Sequence, residues 1–210
     1  MILKSLPLLA AGILFTAPHE ELRDMSIGDP LPAADVRMTD VSAKEMTLQQ
    51  LAKENGLLVI FSCNTCPFVV GTDDSEGWEG RYPELGSHCR KNGIGMALVN
   101  SNEAKRDKGD GLADMQRHYR DKGYNHYYLL DQDHVVADAF GARTTPHVFL
   151  FDKDLKLVYK GAIDDNVESA SAVKEHWLRD AIDAMLAGGS IEPNSTRNIG
   201  CSIKRVAHTH

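Results

Sequence analysis

Two cysteines separated by two residues, in Cys63-Asn64-Thr65-Cys66, with Pro67 directly after them, are the side chains of this sequence best suited to do chemistry. They follow its most apolar run, Leu57-Leu58-Val59-Ile60-Phe61, which reads as a buried parallel strand delivering its C-terminal end to a helix N-terminus. Residues three apart on a helix share a face, so on a first helical turn Cys63 and Cys66 meet as a dithiol or close as a disulfide. Pro67 fits there because first-turn N–H groups have no intrahelical partner to lose. The positive end of the helix dipole stabilises a thiolate, the form that attacks, and such motifs pull a thiol from about 8.5 to between ~3.5 and ~7.5. A structural disulfide and half of a zinc site compete with redox exchange. Zinc asks for a second Cys/His pair at matched spacing, and the other cysteines, Cys89 and Cys201, stand far apart.

The elements that must position this pair are those of one domain. A chain of 210 residues, 42% hydrophobic, is long enough for one well-cored domain and short for two. Its 23 basic and 30 acidic residues give a net charge of −7 with no long basic run, which argues against nucleic acid as a partner. Four cysteines are too few for a disulfide scaffold, so the fold must rest on its core. Residues 1–17 carry one charge, Lys4, ahead of an apolar run over 6–15 that is too short to span a bilayer. That is the pattern of a signal peptide. Phe15 and Pro18 flank a poor cleavage site at Ala17, which leaves an uncleaved membrane tether, or a short internal helix, as alternatives. Export places the dithiol in an extracytoplasmic, periplasmic setting, where an electron-donor protein must keep it reduced.

Along the chain, turn-rich residues 27–32 and the stretch to Thr47 suggest an entry loop and a β-hairpin. Thr47, with Gln50 three on, opens a short helix over 47–54 that stops at Asn55-Gly56. After the dithiol, residues 71–77 form an acidic, glycine-containing loop, with helix expected over 78–91. Strand 94–99, helix 113–121, strand 127–130, helix 134–140 and a hairpin of 148–151 with 155–159 follow. Val173, Trp177, Leu178, Ala181, Ile182, Met185 and Leu186 then recur at helical spacing up to Gly188-Gly189. This order fits an α/β domain with a mixed central β-sheet flanked by helices.

Arg143-Thr144-Thr145-Pro146-His147 stands just before the hairpin, where a proline is tolerated at a strand's first residue and a cis Thr145–Pro146 bond is plausible. With the Cys-x-x-Cys after the central strand, the segment 159–166 and the ending Gly200-Cys201-Ser202-Ile203-Lys204, the chain resembles the thioredoxin superfamily. The branch is that of redoxin or peroxiredoxin-like exported thiol-disulfide oxidoreductases, and the resemblance spans roughly residues 27–204. It implies a thioredoxin-like fold over 27–189 with an N-terminal hairpin extension, a nucleophilic Cys63 and a resolving Cys66. It also implies a cis-proline at Pro146 and backbone hydrogen bonds from Thr145 to a bound substrate strand. Protein or small-molecule thiols and disulfides are the expected partners, and no cofactor is required. The sequence departs from the thioredoxin motif at Asn64-Thr65, and residues 57–62 lack the proline and threonine of a typical peroxiredoxin, which weakens a thiol-peroxidase alternative.

Other residues invite weaker readings. His147 beside Pro146 would serve a copper-carrier alternative, although a surface or hydrogen-bonded histidine is the plainer account and no metal site is expected. His208 and His210 belong to a terminus prone to fraying. The acidic residues 73–79 read as a solvated face. The tail over 190–210 is expected to dock in part, since Ile199 and Ile203 flank Cys201. That cysteine is then a redox or structural residue, bonded to Cys89, relaying with the Cys63–Cys66 pair, or packed as a small hydrophobe, as Cys89 itself commonly would be.

Overall fold

A computed structural model describes residues 24–207 of the protein. The signal-like residues 1–17 and the terminal His208 and His210 lie outside the described residues. The chain enters through a hairpin, β1 (Met38–Asp40) and β2 (Glu45–Met46), and a short helix α1 (Leu48–Leu51). Thr47 and Gln50 close a reciprocal capping box on α1. The helix ends at Ala52, short of the expected 54.

The central strand β3 (Leu57–Phe61) leads to α2 (Pro67–Val70). Beyond it come α3 (Tyr82–Lys91), β4 (Gly95–Asn100), α4 (Leu112–Asp121), β5 (Tyr127–Leu130) and α5 (Val135–Phe140). The two-residue strand β6 (Thr144–Thr145) precedes the hairpin of β7 (His147–Phe151) and β8 (Leu157–Gly161). Helix α6 (Trp177–Leu186) and a last short strand, β9 (Cys201–Ser202), complete the chain. A seven-stranded sheet runs β2-β1-β5-β4-β3-β7-β8, and β6 and β9 form a separate pair. The sheet is mixed, with β3, β4 and β5 mutually parallel and β7 antiparallel to β3.

The unbroken apolar run of β3 has a direct cause: helices cover both faces of the sheet, so neither face needs polar residues. Alternate side chains feed opposite sides. Leu58 and Ile60 pack with Trp78, Tyr82, Leu98, Leu178 and Ile182, whereas Leu57, Val59 and Phe61 pack with Val136, Phe140, Phe149 and Phe151. The stretch 78–81 is a 3-10 turn at Glu79–Arg81 rather than the start of α3. Val173 stays outside α6, because Asp165 accepts the N–H groups of Lys174 and Glu175 at 2.9 and 3.2 Å and holds that segment open.

Candidate active site

The end of β3 brings Cys63 and Cys66 to the β6–β7 junction, but not on a helical turn. Cys66 is the N-cap of α2, with extended φ and ψ, and Cys63 lies in the loop before it. The expected placement on a first helical turn is therefore corrected. Helix α2 has four residues and ends at Gly71, whose φ of +84° and close neighbours, Ser75 and Glu76 carbonyls within 2.7 Å of any Cβ, admit only glycine. So short a helix contributes little dipole, and acidity at this site must come from hydrogen bonds.

Both sulfurs converge on one residue. Cys63 Sγ lies 3.3 Å from Thr145 Oγ1, and as a thiol Cys66 donates to the Thr145 carbonyl at 3.1 Å. The Thr145–Pro146 bond is cis. Within the pair, Cys63 donates its S–H to the Cys66 sulfur. That bond is the main reason Cys66 is lowered to about 5 against burial, with contributions from the Cys201 thiol, the Thr145 hydroxyl and the Cys201 N–H. The same bond, then burial, then the negative charge of Asp110 push Cys63 well above the ordinary thiol range. Of the two thiols Cys66 is thus the more acidic. Both sulfurs are enclosed, at 1% and 2% exposure.

Sequence reasoning missed Asp110, which is fully buried and holds the intervening loop. Its carboxylate accepts the Asn64 N–H and the Thr65 hydroxyl, both at 2.7 Å, together with the side-chain amides of Asn100 (2.9 Å) and Asn102 (3.0 Å). Tyr128 donates to Asn64 Oδ1 at 2.9 Å. The only trace in the sequence is an aspartate between two glycines, Gly109 and Gly111, which reads equally well as an ordinary turn.

Cys201 stands opposite Thr145 in the antiparallel β6–β9 pair, against the dithiol. Cys89 is fully buried in α3, pushed up to about 12 by burial, and is not joined to Cys201, so the pairing considered for those two is absent. All four cysteines are free thiols. His147 is buried rather than at the surface. Its Nδ1 accepts the Arg143 N–H at 3.4 Å, its ring packs on Phe149, and burial lowers it to about 4. Among the described residues no group of three or more His, Cys, Asp or Glu is placed to hold a metal ion. A cavity of about 660 Å³ bordered by Asp40, Arg90, Tyr119 and His126 includes none of the cysteines.

A dithiol at the end of a central strand, set against a Thr-cis-Pro turn on a mixed sheet with helices on both faces, defines a thioredoxin-like oxidoreductase. The Redoxin family matches residues 26–175, and the chain belongs to that family. The structure is similar to an uncharacterized conserved protein from Geobacillus kaustophilus, with 29% identity over 88% of this chain and 94% of that one and a TM-score of 0.78. It is similar also to a hypothetical protein from Sinorhizobium meliloti 1021, with 30% identity, 89% and 98% coverage and a TM-score of 0.77. The thioredoxin domain of a thiol-disulfide oxidoreductase from Bacteroides vulgatus shares the fold at 17% identity, 66% and 90% coverage and a TM-score of 0.50. No curated protein matches the chain.

Proposed function

We propose that the protein is an exported thiol-disulfide oxidoreductase that exchanges disulfides with proteins or small thiols through Cys63 and Cys66. The observation that carries this reading is the convergence of both sulfurs on Thr145, one on its hydroxyl and one on its carbonyl, beside Pro146. A substrate strand that takes the place of β9 along β6 would bring its disulfide to that point.

The groups around the pair give each cysteine a role. In a Cys63–Cys66 disulfide Cys63 has no S–H to give, but the Cys201 and Thr145 groups still favour charge on Cys66, so an external thiol attacks at Cys63 and expels Cys66. Reversed, this makes Cys63 the cysteine that bonds to substrate and Cys66 the one that resolves. In the reducing direction Cys63 passes its proton to the Cys66 thiolate and bonds one substrate sulfur while the other leaves as a thiolate. That thiolate recovers the proton from Cys66, whose sulfur attacks Cys63 and expels the second substrate sulfur. One substrate disulfide becomes two thiol groups, one of them ionised, and one protein disulfide forms. A donor protein outside the cytoplasm then returns the pair to the dithiol, in keeping with the export pattern of residues 1–17.

Incubation with a disulfide-bonded peptide tests the roles. Cys66→Ser should accumulate mixed disulfides at Cys63, and Cys63→Ser should lose turnover of the peptide. Trapping of the peptide at Cys66 in Cys63→Ser would reverse the roles, and full turnover by both variants would end the reading. Fractionation of cells making the full chain should place it outside the cytoplasm.

A further inference from the structure

We infer that Cys201 is a third redox-active cysteine, which takes over the disulfide from Cys63–Cys66 as a Cys66–Cys201 bond. The inference rests on the exchange proposed for Cys63 and Cys66 and adds a second station to it.

Geometry carries it. The β6–β9 register sets Thr144 opposite Ser202 and Thr145 opposite Cys201, so Cys201 faces the residue whose carbonyl meets the Cys66 sulfur. The approach is close because Gly200 has no side chain: a Cβ there would lie 2.3 Å from the Thr145 carbonyl oxygen and 2.8 Å from its carbon. The segment is fastened on both sides of the cysteine. Asn198 donates to the Thr144 hydroxyl at 2.6 Å, the Ile203 N–H to the Arg143 carbonyl at 3.0 Å, and the Lys204 N–H to Asn102 Oδ1 at 2.9 Å. Ile203 is buried, and Arg205 Nε donates to Asp138 at 2.7 Å. The tail therefore occupies the same Thr145 edge that a substrate strand would use, and it presents its own sulfur there. Cys201 packs against the buried cluster that contains Cys63 and Cys66, and both its thiol and its N–H act on the Cys66 sulfur. Cys89, in contrast, has no sulfur among its electrostatic neighbours.

The exchange balances without any added reagent. Position decides which sulfur is struck: Cys201 lies beside Cys66 and not Cys63, so its sulfur attacks Cys66, the Cys63–Cys66 bond breaks, the Cys66–Cys201 bond forms, and Cys63, the poorer leaving group, departs with the proton released by Cys201. No net oxidation or reduction occurs. Timing is built in as well. In the reduced state burial and the Cys66 thiolate hold Cys201 at about 11, and once Cys66 is in a disulfide its charge is gone, so Cys201 becomes easier to ionise. The outcome is a free Cys63 and an oxidised state stored on a bond that staples the tail to the site.

The test is oxidation of the reduced full-length protein with diamide, followed by acid quench, alkylation and peptide mapping. Wild type should yield both Cys63–Cys66 and Cys66–Cys201. Cys63→Ser, which has no first bond to make, should close Cys66–Cys201 within one molecule, with a yield independent of protein concentration. Gly200→Ala, added to Cys63→Ser, should lower that yield several-fold by pushing β9 off Thr145, and an undiminished yield overturns the role given to the docked strand. If wild type forms Cys63–Cys66 while Cys201 is always fully alkylated, or if Cys63→Ser gives only dimers, the inference fails and the exchange reading survives. Absence of both bonds defeats the two together.

Discussion

Asp110 touches neither sulfur by hydrogen bond, yet it fixes where both can be. Its two oxygens collect four donors, two of them from the residues between the cysteines. Hydrogen bonds to a buried carboxylate are individually worth about 1.5–3 kcal/mol, and donors left without a partner cost more than the bond itself returns. Asp110→Ala should therefore destabilise the reduced protein by at least about 3 kcal/mol, read from urea unfolding. It should also slow peptide reduction, because the loop no longer holds Cys63 at Thr145. A loss of stability no larger than that of an exposed aspartate such as Asp73 would show that the loop is held by other means. Asp110 was illegible in the sequence for a plain reason: its contact with Thr65 spans 45 residues, and nothing local marks an aspartate as the partner of a distant loop.

Between the dithiol and α3 the chain is fixed by a clamp across elements. Asp164 accepts from Trp78 Nε1 at 2.6 Å, from Arg81 Nε at 3.3 Å and from the Asn166 N–H at 3.0 Å. Arg81 also reaches the Gly77 and Asn166 carbonyls. Asp164→Ala leaves Trp78 Nε1 without its acceptor and the largely buried Arg81 with only the exposed Glu76 carboxylate at 3.7 Å, a loss of at least about 1–3 kcal/mol. Asp164→Asn keeps an acceptor for Trp78 and should cost less, a ranking that urea midpoints will decide. At this scale the sequence was partly legible. The β3 run was plain because a strand buried on both faces needs no polar residues, and Gly71 to Gly77 was visible as an interruption. The start of α2 was not, since a three-residue spacing is satisfied by a turn ahead of a helix as readily as by the helix itself. Pro67 permits either. Short strands such as β6 and β9 carry no periodicity at all, and of the two isoleucines around Cys201 only Ile203 is buried while Ile199 is exposed.

For the molecule as a whole the three sulfurs make folding stability depend on pH. Cys66 titrates near 5 in the folded reduced protein against an ordinary 9.0, so it contributes stability that is fully present above that ordinary value and is lost as pH falls through about 5. Cys63 and Cys201 are shifted upward, so they stay protonated in the fold while the unfolded chain ionises. They subtract stability as pH rises past 9.0. His126 and His147, lowered to about 3 and about 4, erode both redox forms below their ordinary 6.5. The expected result is a reduced-minus-oxidised stability difference that climbs with pH from about 5 to 8 and turns over above about 9, measured by urea unfolding of the two forms. Cys66→Ser should flatten the climb. A flat difference in the unsubstituted protein would contradict the acidic Cys66.

The place of β9 in the chain bears on synthesis as well as on chemistry. Among the described elements β9 is the last in the chain. Until it docks, β6 has no partner strand and the edge beside the dithiol lies open. Assembly of the site is thus completed by the last of the described strands to be made.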